Sequence, residues 1–190
     1  MKKRKEIERK WVLAAPPPLD DKPSDEIRQG YLFSGAAELR VRRIGNHCFI
    51  TVKREGAKAA HDEWENEIPE WAFDAVWPET KGKRLRKRRY SWREGRHKLE
   101  LDVYEGKLEG LIVLETEFRS TKSRDRFVLP DWAVGAIEVT EDPRFRNESL
   151  AQHGLRGLRR RLQKREKKPR PEVAAGSGVT AIEEPLPSTR

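Results

Sequence analysis

Charged side chains recur at every second position in several short stretches of this chain, and that spacing is where its chemistry has to be sought. In Glu6-Ile7-Glu8-Arg9-Lys10-Trp11, an extended backbone puts Glu6, Glu8 and Lys10 on one face and Ile7, Arg9 and Trp11 on the other. The same alternation sets Glu38, Arg40 and Arg42 against Leu39 and Val41, and Thr51 and Lys53 against Ile50 and Val52. It continues with His61, Glu63, Glu65 and Glu67 against Trp64 and Ile68, and with Lys87 and Arg89 sharing a face. Glu100 and Asp102 oppose Leu99, Leu101 and Val103, while Glu115 and Glu117 oppose Ile112, Leu114 and Phe118. One such row is ordinarily a wetted surface. Its repetition in strand after strand asks for another explanation. Arginine forks and lysine ammoniums suit phosphate oxygens. Clustered carboxylates suit hard divalent cations such as Mg²⁺ or Mn²⁺. No side chain stands out as a nucleophile, so the chemistry implied is cation-assisted attack of water on a phosphoryl group.

The elements that must position these rows are short strands joined by hairpin-length turns, such as Gly45-Asn46 and Glu94-Gly95. They predict a β-dominated α+β fold: up to eight strands in an antiparallel sheet or barrel, with short flanking helices and a C-terminal helix. Pro69 to Trp77 reads as one helix, stopped by Pro78, and Ser120 to Phe127 as another. Ala136 to Thr140 reads as a last strand, and helical spacing resumes from Asn147 through Leu150, Leu155, Leu158 and Leu162. With the apolar faces turned outward, the interior would hold Glu6, Glu8, Glu63, Glu65, Glu100, Asp102, Glu115 and Glu117 together with Lys10, Arg40, Arg42, Lys53, Lys87 and Arg89. An unpaired buried charge costs several kcal/mol. A polyanion and divalent cations would complete the neutralisation.

The chain has 190 residues, 38% of them charged, and a formal net charge of +9. That charge sits at the ends: residues 1–5 carry +4 and residues 155–170 carry +8, while the body from 6 to 154 carries only -1. The expected organisation is one domain over 1–154 followed by a basic helical extension and tail over 155–190. The basic run is read as a solvated end and not as a nucleic-acid site. A lone cysteine, Cys48, excludes a disulfide framework and a cysteine zinc site. Neither a membrane-length apolar run nor a signal-like segment is present, so the expected location is cytoplasmic. A small polyanion is the expected partner, with no membrane involved and a homodimer left open.

Several of these stretches, taken in order, resemble one known family. They are Glu-x-Glu-x-Lys at 6–10, Ile27-Arg28-Gln29-Gly30-Tyr31-Leu32, Glu38-Leu39-Arg40-Val41-Arg42, Thr51-Val52-Lys53, Lys87 to Tyr90, Glu100-Leu101-Asp102-Val103, Leu114-Glu115-Thr116-Glu117-Phe118 and Glu138 to Asp142. Together they are similar to the CYTH family, the triphosphate tunnel metalloenzymes, over residues 6 to 151. The resemblance implies a closed eight-stranded antiparallel β-barrel forming a tunnel, dependence on Mg²⁺ or Mn²⁺ and a triphosphate substrate. By position, Lys10, Arg40, Arg42, Lys53, Lys87 and Arg89 would hold the triphosphate, with Tyr31 supporting an inward arginine through its hydroxyl. Glu6, Glu8, Glu115 and Glu117 would face the metals, assisted by Glu63 and Asp102, and Glu6, Glu8, Lys10, Glu115 and Glu117 would carry the catalysis. His61 stands where many relatives have arginine. The layout is most similar to the bacterial inorganic triphosphatases, which implies hydrolysis of tripolyphosphate to pyrophosphate and phosphate. Nucleoside or thiamine triphosphatase and class IV adenylyl cyclase are the alternatives. A polyphosphate- or nucleotide-binding module without catalysis is opposed by the full acidic set, since anion binding alone needs no carboxylates.

Overall fold

A computed structural model describes residues 7–35, 37–55, 61–156 and 158. Among them the strands are β1 (Ile7–Val12), β2 (Ser24–Phe33), β3 (Ala37–Ile44), β4 (His47–Glu55), β5 (His61–Ile68), β6 (Arg84–Glu94), β7 (His97–Glu105), β8 (Ile112–Phe118) and β9 (Ile137–Glu138). Three short helices accompany them: α1 (Glu70–Val76), α2 (Thr121–Asp125) and α3 (Asn147–His153). The β3–β4 and β6–β7 hairpins turn at Gly45 and Gly95, whose φ angles of 54° and 56° lie where only glycine is comfortable. Pro69 caps α1 at its N-terminus, and Pro78 opens a following 3₁₀ turn over Trp77–Thr80 in place of a plain stop.

All strands join one sheet in the order β5-β4-β3-β2-β6-β7-β8-β1-β9, and every pairing is antiparallel. The expected closed eight-stranded barrel is therefore corrected. The sheet has nine strands, and among the described residues its edges β5 and β9 do not pair. The reason lies at Lys10. Its carbonyl accepts from Val139 N–H at 2.8 Å, and its own N–H donates to Thr140 Oγ1 at 3.0 Å. A side chain has taken over from the backbone, so β9 ends after two residues and the second edge of β1 is covered. Arg9 clamps the same segment with paired contacts of 2.9 and 2.6 Å to the Glu138 carboxylate.

Alternation places the apolar residues outside. Trp11, Leu99, Leu101, Ile112 and Leu114 form a buried cluster on the outer face, covered by the segment around Phe127, Leu129, Trp132 and Ala133. A second outer cluster packs Phe73 of α1 on Val41 and Cys48. Each fully buried Leu or Ile there contributes about 1.5–3 kcal/mol. A third cluster includes Val12, Tyr31, Leu85, Tyr104 and Val113 on the inward face, under Phe145, Leu150 and Ala151 of the α3 region. Leu155 and Leu158 belong to it as well. No helix among the described residues is long and apolar enough to cross a membrane.

Candidate active site

Strand register lines the inward charges into transverse rows. Glu8 of β1 lies opposite Glu117 of β8, and Lys10 opposite Glu115. Glu115 in turn faces Glu100 of β7, and Asp102 faces Arg89 of β6. On the other half of the sheet Lys53 stands between Glu38 and Glu63, while Thr51 stands between Arg40 and Glu65. Directly opposed residues in an antiparallel pair share a face and interact.

The rows are knit by ion pairs. Lys10 Nζ lies 3.2 Å from both Glu8 and Glu115. Arg89 donates to Asp102 at 2.6 Å and to Glu115 at 2.8 Å, and also pairs with Glu100. Lys87 donates to Asp102 at 2.5 Å, and both groups are buried. Across the trough, Arg40 lies 3.3 Å from Glu38 and Glu63, Arg42 lies 2.7 Å from Glu65, and Lys53 lies 3.6 Å from Glu63. Burial alone would raise the Glu115 carboxyl, but Lys10, Lys87 and Arg89 hold it far below the usual carboxylate range. Burial opposes the Lys10 ammonium, yet Glu115 and Glu8 raise it above an ordinary lysine. For Lys87 burial prevails, reinforced by Arg89, and its pKa is lowered despite Asp102.

Two cavities flank Glu8. One of about 250 Å³ is lined by Lys10, Tyr31, Glu38, Arg40 and Lys53, with Arg146 and Glu148 from the α3 end. It brings β1 face to face with β3 and β4, so the sheet curls into a trough although its edges stay unpaired among the described residues. The other, of about 520 Å³, is lined by Arg89, Glu100, Glu115 and Glu117 among others. Glu8 borders both.

The predicted residues meet unequally. Lys10, Arg40 and Lys53 share the smaller cavity, and Glu8, Arg89, Glu115 and Glu117 share the larger. Asp102 borders neither; its two oxygens are taken by Lys87 and Arg89, which makes it their anchor. Glu63 lies on β5 beside Arg40 and Lys53 and lines neither cavity. Tyr31 does not bond an arginine: its hydroxyl accepts from Gln29 Nε2 at 2.5 Å. Glu6 and the side chain of His61 lie outside the described residues. Sequence reasoning missed Arg146 and Glu148, which no strand periodicity announces. Glu38 shares a face with Arg40 and Arg42 by parity, and its membership of the site is readable from that.

Two tests of fit follow from these groups. The Nε atoms of Arg40 and Arg42 are buried and have no hydrogen-bond partner, which in a site facing anions suits phosphate oxygens. Glu8, Glu100, Glu115 and Glu117, on three neighbouring strands, offer the oxygen donors that a hard divalent cation takes. As placed, no three such groups among the described residues stand together as a metal cage. The donor chemistry fits, and the lysine and arginine partners account for the spacing.

Fold and site together define a class: an antiparallel β protein curled around an interior of interleaved acids and bases. No family model matches the chain. Over 149 residues it is 40% identical to the inorganic triphosphatase of Nitrosomonas europaea, spanning 77% of this chain and 96% of that protein. It is 29% identical over 157 residues to the inorganic triphosphatase of Acetivibrio thermocellus, spanning 82% and 98% respectively. A crystal structure of an inorganic triphosphatase matches with a TM-score of 0.62 at 38% identity, covering 77% of this chain and 94% of that one. The chain belongs to the triphosphate tunnel (CYTH) family, with the inorganic triphosphatases.

Proposed function

We propose that the protein hydrolyses inorganic triphosphate to pyrophosphate and phosphate with the help of a divalent cation, Mg²⁺ or Mn²⁺. The observation that carries this reading is the pair of buried, unpartnered Nε donors of Arg40 and Arg42 within a row of cations. The relatives' activity supports it. Lys10, Arg40 and Lys53 grip the phosphates from the smaller cavity and Arg89 from the larger, with Arg42 beside them. Lys87 and Asp102 fix the aim of Arg89 and act through it. Glu8, Glu115 and Glu117, with Glu6 next in the same alternation, would hold the cation. When bound, the cation neutralises phosphate charge and favours ionisation of water. In the reaction a water oxygen bonds to a terminal phosphorus, the bridging P–O bond breaks, and pyrophosphate leaves.

The ion pairs explain why acids and bases share one trough. Lys10 and Arg89 hold Glu8 and Glu115 while no phosphate competes. Phosphate binding draws the bases away and frees the carboxylates for the cation, so the two ligands favour each other's binding. A panel of tripolyphosphate, ATP and thiamine triphosphate, with Mg²⁺, Mn²⁺ or neither, tests the reading by release of phosphate, pyrophosphate and cyclic AMP. Turnover is expected for tripolyphosphate first and only with metal. Preference for ATP, or equal turnover without metal, contradicts it.

A further inference from the structure

The inward face does not end with the acids of the site. Arg93 stands four residues beyond Arg89 in β6, directly opposite Lys98 of β7. Arg119 stands two residues beyond Glu117, just past the end of β8. By strand parity Arg93, Lys98 and Arg119 share the face of Arg89, Glu100 and Glu117. Arg96 sits in the β6–β7 turn, and all four line the same cavity of about 520 Å³. Lys98 is engaged by Glu100 at 2.5 Å. Arg93, Arg96 and Arg119 have no hydrogen-bond or ion-pair partner among the described residues. The nearest acid in sequence, Glu94, is turned away and accepts from the indoles of Trp92 and Trp132 at 3.4 and 3.2 Å.

Like charges gathered without counter-ions repel one another, and nothing in the fold requires them there. The carboxylates of the site thus lie between two basic zones: Lys10, Arg40 and Lys53 on one side, and this collar on the other, meeting at Glu8. Along the strand Arg93 is about 13 Å from Arg89. A triphosphate seated on the inner bases does not reach that far, whereas a longer chain of the same repeating unit does. An organic triphosphate would instead set an uncharged sugar among three guanidiniums.

We propose that Arg93, Arg96 and Arg119 form a second anion subsite, which holds the distal phosphates of a linear inorganic polyphosphate longer than three units. This inference rests on the triphosphatase reading, since it takes the inner bases to seat the first three phosphates. The test is titration calorimetry of the full chain without divalent metal, comparing wild type with the triple variant R93Q/R96Q/R119Q. All three positions are exposed, so the substitutions are expected to leave folding intact. Affinity for long-chain polyphosphate is expected to fall about tenfold or more, with a shallower dependence on salt, and R93K/R96K/R119K to recover most of it. Tripolyphosphate affinity is expected to change less than about threefold, because its contacts lie further in. An unchanged affinity for the long chain overturns the proposal, and so does an equal loss for both ligands. Failure of the wild type to release phosphate from tripolyphosphate sinks the catalytic reading alone, and the calorimetric comparison still decides the collar.

Discussion

Glu115 shows at the scale of one residue how charge is organised here. It meets Lys10 and Arg89 from opposite sides, and its carboxyl stays ionised far into acid. A depressed folded pKa means that the unfolded chain binds the proton more readily, so this contribution to stability is complete above the ordinary glutamate value near about pH 4 and is lost as pH falls below it. Acid melting curves should therefore flatten in E115Q, and its turnover should fall about a hundredfold or more. Asp102 is the more structural acid. D102A leaves Lys87 and Arg89 facing a buried gap and is expected to cost about 3–5 kcal/mol by chemical denaturation. The double change D102L/K87M should recover much of that stability without restoring activity. Strand parity told which of these charges share a face. It could not tell that Asp102 is saturated, because that depends on β6 lying beside β7 with Lys87 and Arg89 both in reach of it.

The individual elements were legible wherever their period was strong. The alternation in β1, β3, β7 and β8 placed the outward and inward faces correctly, and Pro69 with Phe73 and Val76 marked α1. What failed to show was the shortening of the last strand to Ile137–Glu138, since Thr140 replaces a backbone partner with its hydroxyl. Gly30 in β2 has a role no period reveals. A β-carbon there would come within 2.6 Å of Thr80, which is buried and bonded to the Trp77 carbonyl and to Arg84. G30A is expected to destabilise by about 1–3 kcal/mol, read from the midpoint of urea unfolding. G45A, with open space at its β-carbon apart from Asp25, tests backbone strain in place of contact.

At the scale of the fold the two outer clusters and the capped inner one leave a trough lined by charge, whose edge strands do not pair among the described residues. The antiparallel design and its inside-out polarity could be read from sequence. Closure could not, because it turns on whether β5 and β9 meet, and neither contains a signal for the other. Leu158 is buried in the inner cluster, so L158A should lower stability by about 2–5 kcal/mol. In the proposed function this trough grips three linked phosphates and cleaves the terminal one. Phosphorus NMR of tripolyphosphate incubated with the protein and Mg²⁺ tests it most directly. Pyrophosphate and phosphate are expected in equal amounts, with R40A and E115Q both slowed about a hundredfold or more; an unchanged tripolyphosphate spectrum, or full-rate cleavage by both variants, would overturn the assignment.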